Sequence, residues 1–290
     1  MICQFKKTRL APTPSGYLHL GNVLSFSITA AMARKCAAKI LLRIDDLDRT
    51  RADDRYVQDI FDTLNFLEIA WDEGPANAKE FIAGYSQFHR LGGYNDALAR
   101  LADGKLVFAC TCSRKDLLAR GPCLCKDKHF PLTTENASWR LITDDTQELI
   151  VKNYDGRQIH GFLPEEMRDF IVRKKDGYPS YQLASVADDL FYGADLVVRG
   201  MDLWPSTLAQ HMLAAALGND QFNQIAFLHH PLLAEPSGLK MSKSAGATSI
   251  KYLRESGKSK AEVFGLIASL LGKHGNASNW NELAALIVPD

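Results

Sequence analysis

Two short segments of this 290-residue chain combine residue types suited to handling a polyphosphate. The first runs from Arg9 to Asn22 and holds a Pro/Gly-rich turn, then His19, Gly21 and Asn22. It follows a strand candidate and opens a helix, where an α/β fold presents backbone N–H groups and a positive helix end to an anion. Gly16 and Gly21 would let the backbone come close to a nucleotide, and His19 would point at its phosphates. The second segment is Lys240-Met-Ser-Lys-Ser244, followed by Ala245 and Gly246. Its two lysines, Lys240 and Lys243, sit among small residues after a strand and suit a clamp on phosphate oxygens. Met241 and Ser242 stand between the two lysines.

A third group is made of sulfur. Four of the six cysteines fall in two Cys-x-Cys pairs, Cys110 with Cys112 and Cys123 with Cys125. In a reducing compartment such a group more often binds metal than forms disulfides. Four thiolates could close a tetrahedral structural zinc site. Free buried thiols are the alternative reading.

These side chains need a scaffold, and the first third of the chain reads as one. Lys7 to Ala11 is a strand candidate, and Val23 to Cys36 a long helical stretch. Lys39 to Ile44 is the nearly continuous apolar run of a buried parallel strand. Val57, Ile60, Phe61 and Leu64 follow the i, i+3, i+4, i+7 pattern of an amphipathic helix, with Asp53 and Asp54 near its start. Strand signals resume at Asp195 to Arg199 and at Ile225 to Leu233. This order predicts a doubly wound, Rossmann-like α/β fold with a parallel sheet. The expected organisation is a first catalytic half over residues 1–108 and an inserted subdomain with the cysteines over 109–175. A second catalytic half follows over 176–245, and a short helical tail over 246–290.

Composition adds bounds rather than a function. The 34 basic and 34 acidic side chains balance, so charge alone gives no support to nucleic-acid binding and does not exclude it. The N-terminus lacks an apolar core of signal-peptide length, and no stretch is long and apolar enough to span a bilayer. A cytoplasmic protein without membrane attachment is expected, with a monomer as the default.

The His19 and Lys240–Ser244 segments, in this order and separation, resemble the signature pair of class I aminoacyl-tRNA synthetases. The flanking sequence narrows the likeness. Arg9 to Gly21, Leu42 to Asp48, and Tyr181 to Asp189 through Val198 to Gly200 resemble the glutamyl-tRNA synthetase family, over nearly the whole chain to about residue 270. The resemblance implies the class I catalytic core, ATP as substrate with Mg²⁺ on its phosphates, and His19, Lys240 and Lys243 as the groups that act on them. It also implies a glutamate pocket built from Arg9, Ala11, Thr13, Asp45, Tyr181 and Arg199. Two arginines and one acid complement a ligand with two carboxylates and one ammonium. Zinc in the insertion is frequent in the family, with Cys110 and Cys112 as the matching first pair; Cys125 or, in its place, His129 would complete the set.

Three positions depart from the family pattern. Asp45 stands where the family usually has Glu, Ser185 where the full-length enzymes commonly have Asn, and Asn22 where most class I enzymes have a second histidine. The chain ends soon after the lysine segment, so the large helical region that reads the anticodon is expected to be absent. That length resembles the short paralogues, which load glutamate onto the queuosine base of tRNA(Asp) and, as a family, activate glutamate without tRNA. The alternatives are a truncated enzyme charging the 3′ end of tRNA(Glu), which would need tRNA for activation, and a paralogue that binds RNA or nucleotide without catalysis.

Overall fold

In a computed structural model, residues 5–48, 53–121, 123–233, 249–273 and 277–288 are described. The elements begin with β1 (Lys7–Leu10), α1 (Leu20–Cys36), β2 (Lys39–Leu42), α2 (Asp54–Phe66), α3 (Ala78–Glu80) and α4 (Leu91–Asp103). There follow β3 (Val107–Cys110), α5 (Arg114–Arg120), β4 (Ser138–Leu141), β5 (Leu149–Asn153), β6 (Gln158–Gly161), β7 (Ile171–Arg173) and α6 (Tyr181–Tyr192). The chain closes with β8 (Leu196–Gly200), α7 (Trp204–Ala216), β9 (Ala226–His230), α8 (Ile250–Glu255), α9 (Lys260–Leu270) and α10 (Trp280–Ala285). They divide into two compact units.

The first unit comprises residues 1–89, 194–203 and 226–290. Its strands lie in the order β2-β1-β8-β9, and every pairing is parallel. The apolar runs of β2 and β8 fit this: strands covered on both faces have no polar side to present. β1 leads through α1 to β2 on one flank, whereas β8 and β9 extend the sheet on the other. The order therefore reverses between β1 and β8, and in open α/β sheets ligands bind outside the carboxyl ends of the strands at that point.

Helix α1 is buried along much of its length, from Val23 and Leu24 to Met32 and Ala33. α2 turns Val57, Ile60, Phe61 and Leu64 inward and is capped by the Asp53 carboxylate, which accepts from the Arg55 N–H. α10 lies against α1; its Trp280 indole N–H donates to the Glu68 carbonyl at 3.1 Å, and the Arg34 guanidinium sits over the Trp280 ring.

The second unit comprises residues 90–193 and 204–225. It contains the antiparallel sheet β3-β4-β7 and the antiparallel hairpin β5-β6. A buried ionic pin holds its helices: the Arg90 guanidinium grips Asp188 at 2.8 and 3.0 Å, and the Tyr94 hydroxyl donates to the same carboxylate at 2.7 Å. Burial and that neighbouring carboxylate push the Tyr94 phenol well above its usual value, so it stays a donor. Among the described residues no helix is long and apolar enough to cross a membrane.

Candidate active site

His19 is the N-cap of α1. Its backbone is extended, and its Nδ1 accepts from the Gly21 N–H at 3.1 Å. Asn22 Oδ1 returns the favour by accepting from the His19 N–H at 3.0 Å. This reciprocal capping box satisfies two amide donors at the helix end. It also fixes the ring: a neutral imidazole that accepts at Nδ1 carries its proton on Nε2. His19 is thus an exposed ring at a positive helix end, its proton on Nε2 when neutral. Gly21 makes room for it, since a Cβ there would lie 3.0 Å from His19 Cε1 and 3.1 Å from Nδ1. Asn22, where a second histidine is usual, serves this cap.

The carboxyl ends of β1 and β2 run on beyond the strands. The Arg43 N–H donates to the Leu10 carbonyl, and the Asp45 N–H to the Pro12 carbonyl, both at 2.9 Å. That extension brings Asp45 beside the Ala11–Thr13 backbone, with Ala11 half-buried and Thr13 exposed. The Arg43 guanidinium forks onto the Asp45 carboxylate at 2.7 and 3.0 Å, and both side chains are almost fully buried. Any ammonium meeting Asp45 would therefore share it with Arg43. The next residue is a structural staple: Asp46 accepts from the Ser86 hydroxyl at 2.6 Å and the Gln87 N–H at 2.8 Å.

Arg9 on β1 and Arg199 on β8 flank the point where the strand order reverses. They are 7% and 4% exposed. Arg9 Nη1 reaches the Val198 carbonyl at 3.4 Å, and the Arg199 guanidinium sits 4.9 Å from the centre of the Phe227 ring. Two nearly buried cations at the mouth of a parallel sheet favour an anionic ligand, because guanidinium forks match carboxylates. Gly200 follows Arg199, and a Cβ there would come within 2.7 Å of Asp202 Oδ1 and 3.0 Å of Leu232 Cδ2, so those side chains would have to shift.

The first unit thus brings together His19, Gly21 and Asn22 at one helix end, and Arg9, Ala11, Thr13, Asp45 and Arg199 at the strand ends. Tyr181 belongs to the second unit, where it opens α6 after the Ser180 cap and is 46% exposed. Lys240, Met241, Ser242 and Lys243 lie outside the described residues. The chain is described again at Ser249, which bridges to His19; the Ile250 N–H donates to the Leu18 carbonyl at 2.8 Å. Arg43 is the site residue that sequence reasoning passed over. Its signal was available: residues i and i+2 of an extended segment share a face, so Arg43 and Asp45 were bound to meet.

In the second unit the thiols of Cys110, Cys112, Cys123 and Cys125 gather within 4.8 Å of one another. Neighbouring sulfurs lie 3.4, 3.6 and 3.9 Å apart. Zinc–thiolate bonds of about 2.3 Å in a tetrahedron give sulfur–sulfur edges of roughly 3.8 Å, so the four fit that ion. His129 stands outside the group, exposed, in a left-handed turn. Burial raises the Cys125 thiol, but the Thr111 N–H and the neighbouring thiols outweigh it and bring it down to about 7. Burial pushes Cys112 and Cys123 up.

A parallel sheet with a capped histidine helix at its first strand, and an insertion between β2 and β8, is the catalytic fold of a class I tRNA synthetase. Comparison with known proteins agrees. The sequence matches the catalytic domain of class I tRNA synthetases (E and Q) over residues 6–120 and 131–279. A glutamyl-Q tRNA(Asp) synthetase of Symbiobacterium thermophilum is 35% identical across 91% of this chain and 86% of its own length. Glutamate–tRNA ligase 2 of Acidithiobacillus ferrooxidans is 31% identical across 97% of this chain but 61% of its own length. A solved glutamate tRNA ligase from Elizabethkingia meningosepticum superposes with a TM-score of 0.74 at 21% identity; the chain covers 64% of that structure. The chain belongs to the class I glutamyl- and glutaminyl-type tRNA synthetase family and is a ligase.

Proposed function

We propose that the protein activates glutamate with ATP and transfers it to the queuosine base of tRNA(Asp). The observation that carries this reading is sequence identity. Relatives named glutamyl-Q tRNA(Asp) synthetase are 35% and 34% identical across 91% of this chain, against 31% for the glutamate–tRNA ligase.

Activation joins the glutamate α-carboxylate to the ATP α-phosphorus and releases pyrophosphate. The attacking oxygen is already an anion, so positioning and charge stabilisation carry the rate rather than a general base. Arg9 and Arg199 hold the two carboxylates of glutamate, with Tyr181 donating a hydrogen bond. Asp45, held by Arg43, meets the ammonium alongside Ala11 and Thr13. The Nε2–H of His19 and the amides at Gly21 and Asn22 face the phosphates. Lys243, assisted by Lys240, neutralises the leaving pyrophosphate, with Met241 and Ser242 against the nucleotide. Mg²⁺ would accompany the ATP phosphates and neutralise part of their charge. Cys110, Cys112, Cys123 and Cys125 would hold Zn²⁺, which would brace the insertion and supply no chemistry to the reaction. The protein is assigned to the cytoplasm, as a monomer.

The test is glutamate-dependent ATP–pyrophosphate exchange without RNA, followed by transfer of labelled glutamate to queuosine-containing tRNA(Asp). Exchange without RNA and labelling of that tRNA support the reading. Exchange only with tRNA(Glu) would replace it with 3′-end charging, and no exchange with any amino acid would leave a binding protein.

A further inference from the structure

The acid in the first unit's share of the proposed glutamate pocket is already engaged. Arg43 Nε lies 2.7 Å from Asp45 Oδ1, and Arg43 Nη2 lies 3.0 Å from Oδ2. The fork takes one acceptor position on each carboxylate oxygen. The two side chains are 2% and 8% exposed, so little water screens the pair, and as a unit the pair is neutral. Backbone holds both of its ends, through the Arg43 N–H on the Leu10 carbonyl and the Asp45 N–H on the Pro12 carbonyl.

The cations of this strand-end region are placed as firmly. Arg9 precedes Leu10 on β1, and its Nη1 reaches the carbonyl of Val198, the neighbour of Arg199 on β8. Both arginines are nearly buried. A ligand ammonium that enters here meets a carboxylate shared with Arg43, in a region that holds two further guanidiniums. It gains only what a neutral pair offers, and it is repelled by Arg9 and Arg199. A ligand carboxylate meets guanidinium forks that match its geometry and its charge.

We propose that the Arg43–Asp45 pair makes this site select two carboxylates and neglect the ammonium, so that glutarate, the dicarboxylate of glutamate's length without an amino group, binds in place of glutamate. The inference rests on the glutamate-activating reading above and adds a ligand class to it. Asp45 and Arg43 are then the residues that set specificity at the amino end of the ligand. Arg9 and Arg199 set it at the two acidic ends.

The test is displacement of labelled glutamate from the wild-type chain, with an α,β-methylene analogue of ATP present so that no adenylate forms. A charge-assisted hydrogen bond kept in full would make the ammonium worth about tenfold or more in affinity. Glutarate should therefore bind within about tenfold of glutamate. Glutamine lacks the second carboxylate, and 4-aminobutyrate keeps the ammonium but lacks the α-carboxylate. Each should bind about thirtyfold or more weakly than glutamate, because a buried guanidinium loses the ligand's charge. Arg43→Lys keeps the positive charge but cannot fork. It returns one Asp45 oxygen to the ligand and should open a preference for glutamate over glutarate of about tenfold. Glutarate that fails to displace glutamate, or 4-aminobutyrate that displaces it better than glutarate does, would overturn the proposal. Unchanged selectivity in a folded Arg43→Lys chain would overturn the part given to Arg43. If that variant does not fold, the ligand series on the wild type decides. A wild-type chain that binds no glutamate sinks the functional reading itself; glutamate bound without competition from glutarate sinks only this inference.

Discussion

The two compact units organise their polar groups by different means. In the first, backbone does most of the placing. Parallel strand ends carry Arg9 and Arg199, a continued ladder brings Asp45 to Pro12, and a helix cap aims His19. In the second, side chains hold side chains. Asp188 gathers Arg90 and Tyr94, and four thiols gather on one another. A site built on sheet topology survives the loss of one side chain, because the backbone still delivers the others. A unit built on side-chain pins has nothing behind each pin. Substitutions of equal chemical size should therefore cost the second unit more structure and the first more rate.

The largest effect is expected at the thiols. Structural zinc contributes on the order of 10 kcal/mol in small zinc domains. Elemental analysis should find one zinc per chain in the wild type, and replacing Cys110 and Cys125 together by serine should abolish it. The replacement should also remove amide-exchange protection from residues 107–141, while α1 and the parallel strands keep theirs. Retained protection throughout, with no metal in either protein, would show that thiol packing alone holds this region.

Asp188→Asn comes next. Removing one member of a buried pair strands the other charge and typically costs about 3–5 kcal/mol. Urea unfolding should show a loss of that size for the Arg90–Asp188–Tyr94 pin. Arg9→Lys in the first unit should cost little stability and raise KM for glutamate, since an ammonium cannot fork onto a carboxylate. A reversal, with Asp188→Asn mild in urea and Arg9→Lys unfolding the protein, would break the contrast between the units.

The same contrast explains what the sequence disclosed. β2, β8 and β9 stand where the apolar runs predicted strands, because buried parallel strands must be apolar on both faces, and β1, Lys7-Thr-Arg-Leu, stands at the strand candidate of Lys7 to Ala11 without such a run. α1 starts at Leu20, three residues before the helical stretch expected from Val23, because its beginning is set by the His19–Asn22 cap. The second unit was legible mainly through its cysteines. The β5-β6 hairpin is short, and exposed Ile159 and His160 blur its alternation. Its one clear signal, Asp155-Gly156, is a hairpin-turn pair that was passed over; Gly156 does take a positive φ of 87° there. The Asp188 pin could not be read at all, since its partners lie 94 and 98 residues away. The lysine segment, the clearest chemical signal in the chain, falls outside the described residues.

The smallest effect sharpens the comparison most, because it separates rate from stability within one element. Asn22 caps α1 by accepting from the His19 N–H, and losing a cap of this kind costs about 1 kcal/mol. Asn22→Ala should therefore lower stability only slightly, as α1 stays buried along its length. It also frees the His19 backbone from the geometry that seats the ring at the head of α1. If backbone placement governs the first unit, ATP–pyrophosphate exchange should fall by more than that stability loss explains, with KM for glutamate unchanged. Asn22→Asp, which keeps the accepting oxygen, should hold the cap but set a negative charge where phosphates are expected, and should also lose rate. Exchange at the wild-type rate in Asn22→Ala would mean that the Gly21–His19 hydrogen bond aims the ring by itself and that Asn22 serves the helix alone.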